Sequence, residues 1–179
     1  MPDSIWTSSL AAYRERLATI ESVPAGVSTA AVCAAFALGL LIKVLAIASR
    51  RRDFTGDRAL AAAWMDEAKN HADILANCAD DDIIAFRQRS RDAIEVPLNV
   101  GRAAIAGLSL CDKAEPLVHA AIAPDLAAAR TFITAAARAA FFSLEANLEQ
   151  LPSGDRYREE VTRQVRELQQ KLSAHGQNP

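Results

Sequence analysis

The stretch SVPAGVSTAAVCAAFALGLLIKVLAIASRRRDF, residues 22–54, decides the fold of this 179-residue chain. It opens on a turn with Pro24 and Gly26, runs on almost without charge, and ends at three arginines, residues 50–52. Proline pre-sets φ for the first turn of a helix and lacks only an N–H that would be unpaired there. The pattern predicts one long apolar helix whose small first residues leave the N-terminal amides open to an anion.

The same run satisfies the length criterion for a membrane span, since residues 26–49 exceed 18 apolar positions. The arginines that follow would then lie inside the cell. Against this reading, Lys43 lies within the run and alanine dominates its first half. Residues 1–21 carry acids and resemble an amphipathic helix rather than a signal peptide. We therefore favour a buried helix of a soluble, cytoplasmic protein over a membrane span.

Length and composition predict one domain, residues 1–179, with a sizeable core. The net charge of −2 offers no electrostatic case for a nucleic-acid partner. The cysteines share no ligand spacing and indicate small core residues in a reducing compartment; they are Cys33, Cys78 and Cys111. The three histidines form no HxxxH or HExxH pair, so we expect no metal site.

Helical periodicity runs through nearly the whole chain, and no segment alternates with period two. This predicts an all-α, up-and-down helical bundle with a long central apolar helix. Besides residues 26–49, we expect one helix after a cap at Asp3 or Ser4, one over 58–91 after a cap at Thr55 or Asp57, one to about 113 that Pro97 starts or kinks, one from about Asp125, and one over 156–174. The first and last helices show narrow apolar seams, which suit the outer edge of a bundle or a partner chain. The last seam consists of Val161, Val165, Leu168 and Leu172.

Several short motifs recur in a characteristic order along these helices. They are Pro24-Ala25-Gly26-Val27-Ser28, Arg51-Arg52-x-Phe54, Asp82-x-x-Ala85-Phe86, Val96-Pro97-Leu98, Asp125-Leu126 and Asn147-Leu148. In this order and spacing the chain resembles the cyclodeaminase/cyclohydrolase family. That family includes the cyclodeaminase domain of formiminotransferase-cyclodeaminase and the bacterial methenyltetrahydrofolate cyclohydrolases.

The chain also departs from the family pattern. Ala25 and Val27 replace two glycines of the loop, and glycine serves where backbone approaches a ligand or takes a positive φ. Residues 87–95 replace a longer insert with its own helix. Ser143 stands where the family has asparagine, and Val118-His119 replace a Gly-Asn pair. The chain is thus a diverged and shortened relative.

The resemblance implies an all-helical homodimer that acts on the one-carbon bridge of folate. A tetrahydrofolate derivative would be the substrate, with no permanently bound cofactor. Because no formiminotransferase domain is attached, we expect a methenyltetrahydrofolate cyclohydrolase, with a formiminotetrahydrofolate cyclodeaminase as the other possible enzyme. The alternative from a different class is a non-catalytic helical module that dimerises or binds a ligand.

Asp82 matches the family's catalytic carboxylate, and burial beside Phe86 and two further aspartates would raise its pKa. Its competing interpretation is a solvated acidic turn, because three adjacent aspartates cannot share one helical face. Gly26 and Ser28 would offer substrate contacts at the start of the long helix.

Arg51 and Arg52 would grip the carboxylates of a glutamate tail, or would only suit the C-terminal dipole of their helix. Asn147 would bond a pterin ring or cap a neighbouring helix. Asp125 would contact substrate, although we favour an N-cap after Pro124. Lys43 would reach solvent, pair with an acid such as Asp82, or face a pocket.

Overall fold

The computed structural model describes residues 4–88 and 91–175, and these ranges contain helices and turns but no β-strand. The α-helices are α1 Leu10–Leu17, α2 Gly26–Arg50, α3 Arg58–Gln88, α4 Asp92–Ala114, α5 Ala123–Glu149 and α6 Arg156–His175. Two 3₁₀ turns, Ile5–Thr7 and Glu115–Leu117, precede α1 and follow α4. The predicted all-α bundle is confirmed.

Helices α2 to α5 form an up-and-down bundle in which α3 and α5 flank α2 and also pack against α4. Asp82 near the end of α3 bonds Ser28 at the start of α2, so these two helices are antiparallel. Asn147 near the end of α5 bonds Ala93 at the start of α4, so this pair is antiparallel too. We call the end of the bundle that holds Ser28 the Ser28 end, and the opposite end the Arg51 end.

Helix α2 supplies the centre of the core. Leu38, Leu41 and Leu45 are fully buried, and the alanines between them let the neighbouring helices approach closely. Two helical stretches, Gly26–Arg50 and Asp92–Leu117, are long and apolar enough to cross a membrane. In the bundle, 56% of the most apolar part of the first stretch and 72% of that of the second are buried, so both stretches belong to the core.

The first predicted helix is shorter than its apolar stripe suggested. Ser4 caps the 3₁₀ turn, and Ser9, in an extended conformation, caps α1 by accepting the N–H of Ala12. Serine competes with the backbone for hydrogen bonds, so the two serines at 8 and 9 interrupt the helix. Leu10 and Ile20 are consequently exposed, whereas Tyr13 is buried. The other predicted cap, Asp3, lies outside the described ranges.

Helix α6 packs on α4 and α5 of its own chain. Its residues Val161, Val165 and Leu172 are buried there, so this seam is not free for a partner subunit. The Asp155 carboxylate caps α6, and Gly154 makes the preceding turn with φ +84°. Of the two alternatives, the outer edge of the bundle and a partner chain, the first describes this seam.

Two of the three cysteines lie in the core, as expected. Burial raises the pKa of the Cys78 thiol to about 11 and that of the Cys111 thiol to about 12. Cys33 is exposed, contrary to the prediction, because it lies on the outer stripe of α2. One side of α2 is not covered by the bundle. Because the residues on that side are also apolar, the sequence does not distinguish them from the buried ones.

Candidate functional site

The Asp82 carboxylate, near the end of α3, holds the first turn of α2. Its Oδ2 accepts the backbone N–H of Ser28 at 3.1 Å and the Ser28 hydroxyl at 2.8 Å. Ser28 is the third residue of α2, and the first N–H groups of a helix have no partner within it. Asp82 therefore caps α2 from a neighbouring helix.

A hydrogen-bonded network fixes the turn in front of α2. The Ala25 N–H donates to Ser28 Oγ at 3.1 Å, and the Thr29 hydroxyl donates to the Ala25 carbonyl at 2.7 Å. Tyr13 Oη lies 3.2 Å from Thr29 Oγ1. Because the single hydroxyl proton of Thr29 is directed at Ala25, the Tyr13 hydroxyl is the donor.

This network explains how the turn forms without two of the family's glycines. The backbone of Ala25 is extended, with φ −139°, and Val27 lies within the helix. Neither position takes the left-handed conformation that requires glycine. The turn is therefore available to Ala25 and Val27 without backbone strain.

Burial raises the pKa of Asp82 above its ordinary value, while the side-chain and backbone hydrogen bonds from Ser28 lower it in part. Both bonds use Oδ2, and within residues 4–88 and 91–175 Oδ1 has no hydrogen-bond partner. Asp80 instead accepts the Ser4 hydroxyl at 2.6 Å and the Ile5 N–H at 2.8 Å. Asp82 is thus a partly desolvated carboxylate with one free oxygen, and not a member of a solvated acidic turn.

Two clefts lie at the Ser28 end of the bundle. The α2–α5 cleft, of about 580 Å³, is lined among others by Gly26, Thr29, Cys33 and Phe132. The α3–α4 cleft, of about 590 Å³, is lined among others by Phe86, Arg91, Asn147 and Gln150. Asp82 lines neither cleft, but Ala85 and Phe86 of the second cleft follow it by three and four residues on α3.

One face of α5 connects the two clefts. Ala139 lines the α2–α5 cleft, and Asn147 lines the α3–α4 cleft. Ser143 lies between them, and a Cβ placed on Gly26 would lie 3.6 Å from its Oγ. Since residues four apart share a helix face, these three side chains follow one line past the start of α2. Gly26, Ser28, Asp82 and Asn147 are therefore brought together at the Ser28 end.

Asn147 has a structural partner that the sequence motifs do not reveal. Pro97 lies inside α4, which begins at Asp92, so Pro97 does not start this helix. Proline lacks the N–H that would bond the carbonyl four residues before it, here that of Ala93. Asn147 Nδ2 donates to this carbonyl at 2.7 Å. Asn147 thus bonds a neighbouring helix, but it replaces the hydrogen bond that Pro97 removes and does not form the predicted cap.

The remaining predicted site residues lie at the Arg51 end. Arg51 follows Ser28 by 23 positions, which is about 35 Å along a helix. Its guanidinium bonds both oxygens of Asp53 at 2.9 and 2.8 Å, and this holds the pKa of Asp53 below its usual value. Arg52 is exposed beside it. One chain alone therefore does not bring either arginine to Asp82.

Asp125 is also far from Asp82. It is the third residue of α5, where Ile122 and not Asp125 holds the N-cap position, so the favoured N-cap interpretation is wrong. Its carboxylate lies 3.9 Å from Lys43 Nζ, and both side chains are largely exposed. Lys43 therefore reaches solvent and pairs with Asp125, and the suggested pair with Asp82 does not form.

Sequence reasoning missed three residues of the site. None of the sequence motifs includes Tyr13, Thr29 or Arg91. A hydroxyl four residues after Ala25 was a weak signal for Thr29, whereas nothing local distinguishes Arg91 from its neighbours. The part of the chain that the structure describes contains no group of three or more His, Cys, Asp or Glu placed to hold a metal.

Comparisons with known proteins place this geometry in a family. The profile of the formiminotransferase-cyclodeaminase family matches residues 9–91 and 87–167. A crystal structure of formiminotetrahydrofolate cyclodeaminase from Thermotoga maritima is similar, with a TM-score of 0.88 and 17% sequence identity. The match covers 96% of this chain and 93% of that one. No curated protein sequence matches the chain. The profile spans both halves of the bundle, including the Asp82 and Asn147 segments, and the chain therefore belongs to the formiminotransferase-cyclodeaminase family.

Proposed function

We propose that this chain acts on the one-carbon bridge of a reduced folate, as a methenyltetrahydrofolate cyclohydrolase with Asp82 as general base. The main support for this proposal is the half-buried Asp82 carboxylate. Its Oδ2 accepts two hydrogen bonds from Ser28, while Oδ1 has no hydrogen-bond partner among the described residues. Family membership supports a folate substrate, and the similar T. maritima protein is a formiminotetrahydrofolate cyclodeaminase.

The proposed reaction needs one proton acceptor near the bridge carbon. Water attacks the methenyl carbon, and Asp82 Oδ1 takes the proton that the water loses. The hydroxyl oxygen then forms the formyl C=O as one of the two C–N bonds breaks, its proton passes to solvent, and the formyl group remains on the other nitrogen. The Asp82 carboxyl returns its proton to the leaving nitrogen. A raised pKa suits this exchange, because it makes the Asp82 carboxylate a stronger base for the attacking water.

A cyclodeaminase reaction would use the same carboxyl in the reverse sense. Ring closure by one folate nitrogen onto a formimino carbon expels ammonia. The proton of the attacking nitrogen passes to the leaving nitrogen, and protonated Asp82 would supply the second proton that the leaving nitrogen requires. The raised pKa of Asp82 supports this second enzymatic candidate as well. The two reactions differ in the substrate they consume, so assays with both substrates separate them.

One observation favours the non-catalytic module as a further alternative. Asp82 caps α2 through Ser28, and this role would preserve the carboxylate even without chemistry. A module of this kind would retain the clefts and bind a folate-type ligand without turnover. The experiment below distinguishes a capping carboxylate from a general base.

We further propose a homodimer in the cytoplasm, with no nucleic-acid or membrane partner. The outer face of α2 and α5 leaves aromatic residues in solvent, namely Phe36, Phe132 and Phe142. Such a face fits a second copy of the chain, which would bury the same residues in a symmetric contact. A substrate-binding role for Arg51 and Arg52 at Asp82 requires this second copy, because they lie about 35 Å from Ser28 within one chain.

The test compares Asp82→Asn with Asp81→Asn. Asparagine keeps the acceptor for Ser28 and removes the base, whereas the exposed Asp81 lies next to it without bonding Ser28. Hydrolysis of methenyltetrahydrofolate should fall by about 10²–10⁴-fold in Asp82→Asn and stay near wild type in Asp81→Asn. Equal rates in wild type and Asp82→Asn would refute the role of Asp82. Ligand binding with no turnover in any variant would support the module.

A further inference from the structure

The α3–α4 cleft combines one cation, one exposed aromatic ring and two amides. Of the lining residues that the structure describes, Arg91 alone carries a charge, and Phe86 exposes 53% of its surface. Asn147 and Gln150 supply the amides, while Ile94 and Leu151 give an apolar wall. Ligand sites commonly have this character, with apolar walls and a few placed polar groups.

The Arg91 guanidinium is held in position but is not neutralised. Its Cζ lies 5.1 Å from the centre of the Tyr157 ring, a cation–π contact that fixes the side chain at the cleft. The Tyr157 hydroxyl in turn donates to Glu95 Oε1 at 2.6 Å, which anchors the ring. Among the residues that the structure describes, Arg91 forms no ion pair or hydrogen bond through its side chain. Its five donors are therefore available to an anion.

The cleft begins one helical turn from Asp82. Phe86 follows Asp82 by four residues, so the ring is displaced from the carboxylate by about 6 Å along α3. A ligand with its reacting atom at Asp82 would continue over Phe86 toward Arg91. Such a ligand needs a flat ring next to its reacting end and a carboxylate beyond the ring.

We propose that the α3–α4 cleft binds the aryl-amide and carboxylate part of the substrate, with its ring against Phe86 and a carboxylate on Arg91. This inference rests on the proposed function, since a folate carries a benzoyl-glutamate group beyond its one-carbon bridge. The cation that receives the glutamate within one chain is then Arg91, in place of Arg51 and Arg52.

The test measures binding of 4-aminobenzoyl-glutamate by calorimetry, with neutral 4-aminobenzamide as the matched probe. Arg91→Gln should lower the affinity for the charged probe by about tenfold to a hundredfold, which is the usual contribution of a charged hydrogen bond. The same substitution should leave the affinity for the neutral probe unchanged. Arg102→Gln is the control variant, because Arg102 lies on α4, the helix that follows Arg91, but bonds Asn99 and Gln164 outside the cleft.

Three results would overturn the inference: no binding of the charged probe, equal affinity of wild type and Arg91→Gln for it, or an equal loss in Arg102→Gln. Replacement of both Arg51 and Arg52 by Ala should leave charged-probe binding unchanged, and a loss there would move the glutamate site to the Arg51 end. Arg91→Lys, which keeps the charge without the fork, should fall between wild type and Arg91→Gln.

The inference and the proposed function fail in different ways. Probe binding through Arg91 without any turnover of folates would support the subsite and refute the proposed chemistry. Turnover of methenyltetrahydrofolate with the same KM in wild type and Arg91→Gln would support the chemistry and refute the subsite.

Discussion

Loss of the Asn147 amide should destabilise the protein because it exposes a defect that Pro97 creates. In Asn147→Ala the carbonyl of Ala93 loses the donor that lies 2.7 Å away, and Pro97 offers no N–H in its place. A half-buried carbonyl without a partner costs about 1–3 kcal/mol. For a chain of this length that corresponds to a fall in Tm of roughly 2–12 °C.

The second half of this experiment removes the defect itself. Pro97→Ala restores a backbone N–H that can bond the Ala93 carbonyl within α4, so Asn147→Ala should cost less in that background. Urea unfolding of wild type, both single variants and the double variant gives the coupling energy between the two positions. We expect a coupling of about 1 kcal/mol or more, in the direction of rescue.

Asn77→Ala serves as the control, because Asn77 is exposed on α3 and its loss should change stability by less than about 0.5 kcal/mol. The reasoning is refuted if Asn147→Ala costs the same with and without Pro97, or costs nothing. In the first case the amide would stabilise the fold through another contact, and in the second the carbonyl would be satisfied by water.

The remaining predictions concern charge, assembly and packing. Burial raises the pKa of Asp82 in the folded state, so folding favours the protonated carboxyl. The contribution of this carboxyl to stability is therefore fully present below its unfolded-state pKa and is lost as pH rises through its folded-state pKa. Asp82→Asn should therefore melt no lower than wild type at neutral pH, and its advantage should shrink in acid; a lower melting temperature at neutral pH would contradict this. Phe132→Glu on the outer face of α5 should yield a monomer in sedimentation, whereas Ile74→Glu, exposed on α3, should not; a dimer in both would refute the proposed interface. Gly101→Ala would place a Cβ 2.4 Å from Phe141 Cε1 and should cost about 1–3 kcal/mol in urea unfolding. Phe141→Leu should recover part of that loss, and no recovery would show that the clash lies elsewhere.

Local sequence patterns predicted most of the helices of this protein. The apolar run after Pro24 predicted α2, and Asp57 caps α3 as expected by accepting the N–H groups of Ala59 and Leu60. Such features depend on residues within a few positions of each other, so a sequence displays them directly. The same rules failed at the first helix, where the apolar stripe concealed the effect of Ser8 and Ser9.

The candidate site was predicted only in part, through motifs rather than through geometry. Asp82, Gly26 and Ser28 do meet, but their sequence does not show that Ser28 donates twice to one carboxylate oxygen across 54 positions. Arg51 and Arg52 belonged to the same set of motifs, yet the length of α2 carries them to the opposite end of the bundle. Motif order along a chain thus gave no measure of distance in space.

By itself, the sequence determined that this protein is a bundle of helices around one apolar segment, because periodicity and capping act within a few residues. Only the tertiary structure decided which polar groups meet. It pairs Asn147 with the carbonyl that Pro97 leaves free, and it buries Asp82 against the start of α2. It also places Arg91 at an open cleft one turn from that carboxylate. The physical reason is that hydrogen bonding and desolvation depend on the packing of distant segments, which no local pattern specifies.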